Sequence, residues 1–341
     1  MTRNSTIDIA KGIGIILVVL GHTDFVWKNF IYQFHLPLFF FLSGYVFNIN
    51  KLTSFKKFFL KKIKALYLPF VVFETFFLLF HNFFVNIGFY NGLSNVTLFL
   101  SVNDTIKCFF KILTMGYGEQ LAGPLWFLIS TLEINLIFSV LAKISEREEK
   151  GFPYILVVIT IILYFCGCYV DLPRMLSQSL IGMFFYCGGF IYKKYEDKIN
   201  YKKIYFICSF IILFFCSFFN TVDISKLEIA NKFLLMISGF AGVYFILFIS
   251  EKCKFLKNKF MLYCGQNTIY ILALHCFVFK IVMYIEILIY DESKDYLGLF
   301  PVYQKNQFWG IIICFCGVIF PVILKRIIDF IRERVICRRN L

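Results

Sequence analysis

Apolar side chains along this chain fall in long runs separated by short polar stretches. Few of the runs show the strict alternation of a half-buried strand or the narrow stripe of a surface helix. Ten of them are of the length, roughly 17–25 residues, that carries a helix across a bilayer core. They cover 7–26, 31–49, 66–87, 123–142, 153–170, 176–192, 204–220, 232–250, 263–290 and 308–324. The pattern predicts an all-α integral membrane protein, a bundle of about ten transmembrane helices forming a single transmembrane domain over 1–341. The longest connections are 88–122, of re-entrant or interfacial character, and 51–65. The second interleaves aromatic and basic residues, as suits a helix lying in the headgroup layer. Asp8 and Lys11 interrupt the first run and no small-residue cleavage site follows His22, so a cleaved signal peptide is not expected. No internal repeat of the transporter kind is evident.

Composition supports the lipid reading. The 341 residues are 60% hydrophobic and 16% charged, with 47 phenylalanines, where soluble domains hold about 45–50% and 25%. One soluble core could not bury that excess, which excludes a soluble enzyme, a nucleic-acid-binding module and a disordered scaffold. The net charge of +14 sorts by location. With the amino end in the cytoplasm, 25 of the 35 lysines and arginines fall on cytoplasmic segments and 8 on outer ones, while Lys11 and Lys280 lie inside runs. That asymmetry places both termini in the cytoplasm and makes 325–341 a basic cytoplasmic tail. The expected location is the cell's cytoplasmic membrane, multi-pass, with membrane lipids as partners and no nucleic acid. The 12 cysteines sit mostly in apolar runs, as Cys166, Cys168, Cys314 and Cys316 do, and read as packing residues. No CxxC pair accompanies a histidine cluster, so no metal site is expected.

Ionisable groups inside membrane spans are costly and mark function by default. All 4 histidines fall within runs, and at ~1.5 Å per residue His22, His35, His81 and His275 all lie in outer halves. Glu133 falls near the middle of its run. Lys11 and His22 are eleven residues apart, close to three helical turns, so they share one face about 16 Å apart along the axis. Asp8, one turn before Lys11, can pair with it. For His81 a packing role is expected, for Glu74 and Glu286 a solvated place near span ends, and for Gly188, Gly189, Gly239 and Gly242 close helix packing.

These residues resemble a known family. Ile7-Asp8-Ile9-Ala10-Lys11-Gly12 followed by Gly21-His22 is similar to the first-helix signature of the integral-membrane acyltransferase 3 family, a basic residue ten positions before a histidine. The block from Phe34-His35-Leu36-Pro37 to Ser43-Gly44-Tyr45 resembles the second-helix signature of its fucose 4-O-acetylase-like branch. Lys61-Lys62-Ile63-Lys64 ahead of Pro69, Pro124-Leu125-Trp126-Phe127-Leu128, and Gly265-x-Asn267-Thr268 with a later His275 match further blocks. Lysine replaces the commoner arginine at Lys11 and in the 61–64 block, and lysine lacks the bidentate grip on phosphate.

The resemblance implies a membrane O-acyltransferase that moves an acetyl or other short acyl group from acyl-CoA to a hydroxyl of a glycan or lipid-linked sugar. Acetyl-CoA, or another acyl-CoA, is the implied co-substrate, with no metal. Lys11, Lys61, Lys62 and Lys64 are candidates to hold the polyanionic donor. His22 is the candidate general base, since imidazole titrates near neutrality, and an acyl-His22 intermediate is the covalent alternative. His35 could orient His22, donate to the thioester oxygen or bind the acceptor. Glu133 could fix an imidazole tautomer or hold a sugar hydroxyl, and Asn267 and His275 could line the same cavity. A multi-spanning transporter or flippase for a glycan or small solute is the alternative.

Overall fold

Almost every apolar run folds as helix, because in a chain this poor in polar side chains the helix satisfies its own backbone groups. A computed structural model describes residues 4–52, 54–145 and 152–339. Of the charges counted above, Arg3, Arg147 and Lys150 lie outside the described residues. So do the last two residues of the 325–341 tail, and the side chains of Arg338 and Arg339 are not described.

The helices in chain order are α1 (Ser5–Gly21), α2 (Lys28–Tyr32), α3 (His35–Tyr45), α4 (Phe55–Lys62), α5 (Leu68–Leu79), α6 (His81–Asn86), α7 (Val102–Leu113) and α8 (Trp126–Ser145). Then come α9 (Phe152–Tyr169), α10 (Leu176–Tyr195), α11 (Lys203–Phe219), α12 (Lys232–Lys252), α13 (Lys259–Gln266), α14 (Thr268–Tyr290) and α15 (Gln307–Arg339). Between α11 and α12 lies a two-stranded antiparallel hairpin, β1 (Val222–Asp223) and β2 (Glu228–Ile229), which pairs Val222 with Ile229 and Asp223 with Glu228. Among the described residues four helical stretches are long and apolar enough to cross a membrane: Gln120–Ser145, Lys232–Lys252, Thr268–Tyr290 and Gln307–Arg334. Tyr154–Tyr169 and Lys203–Phe219 are shorter apolar helices.

Three runs are broken where the sequence read them as continuous, the third run at Phe80 between α5 and α6. The second divides at Gln33–Phe34, and the ninth at Asn267, which ends α13 and begins α14. The 51–65 segment does form a helix with exposed Phe55, Phe59 and Leu60, but it runs into α5 through a π-helical turn at Ile63–Tyr67. In the 88–122 connection, α7 exposes Val102, Ile106 and Phe110 at i, i+4 and i+8. An apolar stripe of that spacing on a helix with charged neighbours fits an interface.

Packing is closest where glycines remove side chains. A Cβ on Gly265 would overlap the Asp8 carbonyl, and one on Gly12 the Met261 carbonyl, so α1 and α13 meet backbone to backbone. Gly44 against Tyr186 and Gly189 against Phe41 do the same for α3 and α10. Gly188, Gly239 and Gly242 each receive a phenylalanine ring, from Phe240, Phe185 and Phe34, the packing role expected of them. At the Asn4 end, Tyr45 donates to Glu196 at 2.7 Å and Lys193 to the same carboxylate at 2.5 Å, tying α3 to α10. Outward, α9, α11 and α15 expose Val158, Ile162, Phe215, Phe218, Phe315 and Phe320. Apolar surface on this scale has no place in water.

Glu74 and Glu286 are not solvated, contrary to the expectation from their positions. Glu74 is 1% exposed and accepts from the Glu119 backbone N–H at 2.7 Å, and Glu286 is 0% exposed and accepts from Lys305 N–H at 2.7 Å. Each carboxylate draws a connecting segment onto a helix, and that hydrogen bond offsets part of its lost water, though Glu286 Oε2 has no partner among the described residues. His81 is structural. Its Nδ1 meets Glu119 at 3.1 Å and its Nε2 the carbonyls of Thr97 and Leu98 at 2.8 and 3.2 Å, while Tyr90 and Tyr117 donate to the same Glu119. Lys280, also fully buried, donates to the carbonyls of Leu297 and Leu299.

Candidate active site

Near the end of the bundle away from Asn4, a cavity opens between five pieces of the chain. The space between protein atoms there, open mouth included, is about 640 Å³. From α1 come Ile15, Val18 and His22, and from α2 and α3 come Tyr32, His35, Leu36 and Phe39. Pro124, Trp126, Phe127 and Leu128 form the wall at the start of α8, and Thr268, Ile269 and Leu272 that of α14. The hairpin adds Asp223 and Ser225.

His22 reaches the cavity because α1 stops just before it. Gly21 packs under the Tyr32 ring, and the Thr23 hydroxyl takes the Leu20 carbonyl at 2.7 Å, ending the helix. The next turn is clasped from outside, where Gln304 and Gln307 donate to the Asp24 carbonyl at 3.2 and 2.7 Å. The His22 imidazole makes no hydrogen bond to another described residue, and its ring lies 5.2 Å from that of His275, tilted by 38°. His275, on α14, is fully buried behind it. The Nδ1 of His275 lies 2.9 Å from the Ile271 carbonyl and that of His35 lies 3.0 Å from the Ile31 carbonyl. A carbonyl only accepts, so both rings carry their proton on Nδ1. In the neutral rings Nε2 then keeps its lone pair. The His35 ring sits 4.7 Å from that of Tyr32, and the Lys28 ammonium lies 5.4 Å from the Tyr32 ring centre.

The candidates named from the sequence divide into groups. His22, His35 and His275 come together at this cavity. Lys11 lies on α1 one turn before Ile15, with Val18 and His22 following on the same face by the helical period. Asp8 is buried and accepts from Gln266 on α13 at 3.4 Å. Asn267 turns its amide to the Tyr263 carbonyl at 2.9 Å and leaves the cavity wall to its neighbours Thr268 and Ile269. Glu133 is not among the lining residues. It accepts from Ser179 at 2.7 Å between α8 and α10, and the tautomers of His35 and His275 are held by backbone carbonyls.

Lys61 and Lys64 face one shallow surface depression on α4 and the π-helical turn, together with Lys57. Lys62 points elsewhere, 5.4 Å over the Phe58 ring, and burial followed by the neighbouring Lys61 charge lowers its pKa to about 8. Sequence reasoning missed Tyr32, Asp223, Ser225 and the grouping of Lys57 with Lys61 and Lys64. The i, i+4, i+7 spacing of the three lysines was the available signal. Asp223 and Ser225 had none, lying in a short polar link. Among the described residues no three His, Cys, Asp or Glu are grouped so as to hold a metal ion.

Comparison with known proteins matches residues 4–326 to a family described as an acyltransferase domain, acyltransferase 3. The nodulation protein NolL of Sinorhizobium fredii (strain NBRC 101917 / NGR234) is 25% identical over 272 residues, 70% of this chain. That stretch covers 66% of NolL, so the chain spans just under two thirds of the relative's length. No solved structure matches the chain.

Proposed function

Since this chain belongs to the acyltransferase 3 family, we propose that it transfers an acetyl or other short acyl group from acyl-CoA to a hydroxyl of a cell-surface or lipid-linked sugar, with His22 as general base. The observation that carries this reading is the His22 imidazole: it faces the cavity, makes no hydrogen bond to another described residue, and stands beside two histidines locked by carbonyls. A sugar hydroxyl becomes a competent nucleophile only as its proton leaves. His22 accepts that proton while the oxygen attacks the thioester carbonyl carbon. The tetrahedral intermediate collapses, the carbon–sulfur bond breaks, and the imidazolium returns the proton to the thiolate, giving a sugar ester and free coenzyme A. His35 and Tyr32 lie where they can orient the reacting groups.

The donor enters from the cytoplasm in this reading, along ten membrane passes with both termini inside, in the cytoplasmic membrane. Its phosphates meet Lys61 and Lys64 on the basic surface, joined by Lys57, while Lys62, turned toward Phe58, adds its charge beside them, and its extended arm passes Lys11 and Asp8 toward His22. The ammonium groups act as point charges toward phosphate rather than as bidentate clamps. Acyl-CoA is a co-substrate, and the reaction needs no metal. The Phe34–Tyr45 block supports a place in the fucose 4-O-acetylase-like branch. The test is acetyl-CoA-dependent mass gain of a glycan in membranes holding the wild-type protein; no gain with any sugar acceptor would defeat the proposal.

A further inference from the structure

The hairpin between α11 and α12 is the one cavity wall that belongs to no apolar run, and its attachments are unusually many for eight residues. Its base is closed by Ala230 N–H to the Thr221 carbonyl at 3.0 Å and by Asn231 N–H to the Asn220 side chain at 2.7 Å. Asn220 in turn is bonded to Gln33, which donates to its carbonyl at 2.6 Å, and Ser238 donates to Gln33 at 3.2 Å. Gln33 is fully buried and sits between Tyr32 and His35 in sequence, so one network sets the hairpin against both cavity residues. Val222, Ile224 and Ile229 anchor its apolar side in the core. Asp223 and Ser225, the alternate positions, line the cavity.

The chemistry left open there is that of acceptors. Asp223 Oδ1 is occupied by the Ser225 N–H at 3.0 Å and hydroxyl at 2.5 Å. Among the described residues its Oδ2 has only the exposed Lys226 ammonium, at 3.9 Å. Gln178, on α10 and not itself among the lining residues, donates to the Ser225 carbonyl at 3.1 Å, and its own buried side-chain oxygen has no partner among the described residues. The Tyr32 ring supplies a flat apolar face. Unfilled acceptors beside an aromatic face suit a neutral ligand that brings several O–H donors on an apolar ring. They do not suit the phosphates of an acyl donor, which the Asp223 carboxylate repels.

We infer that the β1–β2 hairpin is the acceptor-recognition element, with Asp223 and Ser225 holding hydroxyls of a neutral sugar whose ring packs on Tyr32. The inference rests on the proposed transfer to a sugar and assigns the end of the cavity that sugar occupies. It leaves only the thioester end of the donor to enter from α1.

The experiment uses the full chain in nanodiscs with p-nitrophenyl glycosides of fucose, glucose and N-acetylglucosamine as probes and acetyl-CoA as donor. Equilibrium binding of each glycoside is measured alongside KM for glycoside and for acetyl-CoA. Losing a hydrogen bond to a charged group costs enough for a drop of about ten- to a hundredfold. Asp223→Asn is therefore expected to weaken glycoside binding and raise its KM by that factor, leaving KM for acetyl-CoA unchanged, and Ser225→Ala to act in the same direction by a smaller factor. Both variants are compared at matched melting temperature, and if Asp223→Asn does not fold, Ser225→Ala and Asp223→Glu decide. Unchanged glycoside affinity in folded variants, an equal rise in KM for acetyl-CoA, or no binding of any glycoside by the wild type overturns the inference. Hairpin-dependent binding without acyl transfer sustains the subsite and overturns the proposed reaction instead, so the two failures are separate.

Discussion

Replacing His22 by glutamine removes the proposed base while keeping a polar side chain of similar length at the end of α1. Two magnitudes decide what should follow. On the side of the fold, the His22 ring makes no hydrogen bond to another described residue and one ring contact, to His275 at 5.2 Å. Such a pair contributes ~0.5–1.5 kcal/mol, a small part of the stability of a bundle this size. On the side of the chemistry, a positioned general base supplies ~10²–10⁴-fold in rate, equivalent to about 3–5 kcal/mol of barrier. His22→Gln should therefore insert, fold and melt within a few degrees of wild type, while kcat falls by at least a hundredfold. The assay is thiol release from acetyl-CoA by purified protein in nanodiscs, with the esterified sugar followed by mass spectrometry and folding by thermal melting. A kcat within tenfold of wild type would refute the role of His22 as base. A single turnover with labelled acetyl-CoA and no acceptor separates direct from covalent transfer, since direct transfer leaves no label on the protein.

Three other outcomes are expected. Lys62 is charged below about 8 and neutral above, so its attraction for the donor's phosphates is present at neutral pH and lost as pH rises through that value; KM for acetyl-CoA should climb over that interval, and Lys62→Arg, always charged, should flatten the climb. Glu119→Ala removes the partner of His81 and the acceptor for Tyr90 and Tyr117 in a buried cluster, and breaking such a pair costs ~3–5 kcal/mol, so thermal melting should show a loss of many degrees whatever the activity. Gly265→Ala pushes a methyl group onto the Asp8 carbonyl, and overpacking of this kind costs ~1–3 kcal/mol, whereas Gly92→Ala, with open space around it, should melt as wild type does.

Apolar runs predicted helices almost wherever they occur, because burial in lipid or protein makes every face of such a helix acceptable and leaves little to misread. The breaks at Gln33, Phe80 and Asn267 escaped notice for the same reason: an apolar background hides where the chain turns within a run. His22 and His35 were legible as a pair, since a short link between two runs must bring their ends together. His275 joined them only through the packing of α14 on α1. Glu133 drew attention as a charge in mid-run, and a hydroxyl from Ser179 on α10 donates to it. Glu74 and Glu286 showed the reverse, reading as solvated while serving as buried anchors for backbone N–H groups. Asp223 and Ser225 gave no sign, because a hairpin with two residues per strand has no period to detect.

The four imidazoles of this chain amount to a built-in set of spectroscopic reporters. Histidine-selective nitrogen labelling would give four sites in four distinct settings. His35 and His275 are locked as the same tautomer by carbonyls four residues earlier, and His81 is held at both nitrogens by acceptors. His22 alone of the four has no described hydrogen bond to fix its ring. Its resonance should therefore move most when a donor or acceptor enters the cavity, with smaller shifts at His35 and His275 beside it and His81, which is not among the lining residues, as the internal reference in the same spectrum.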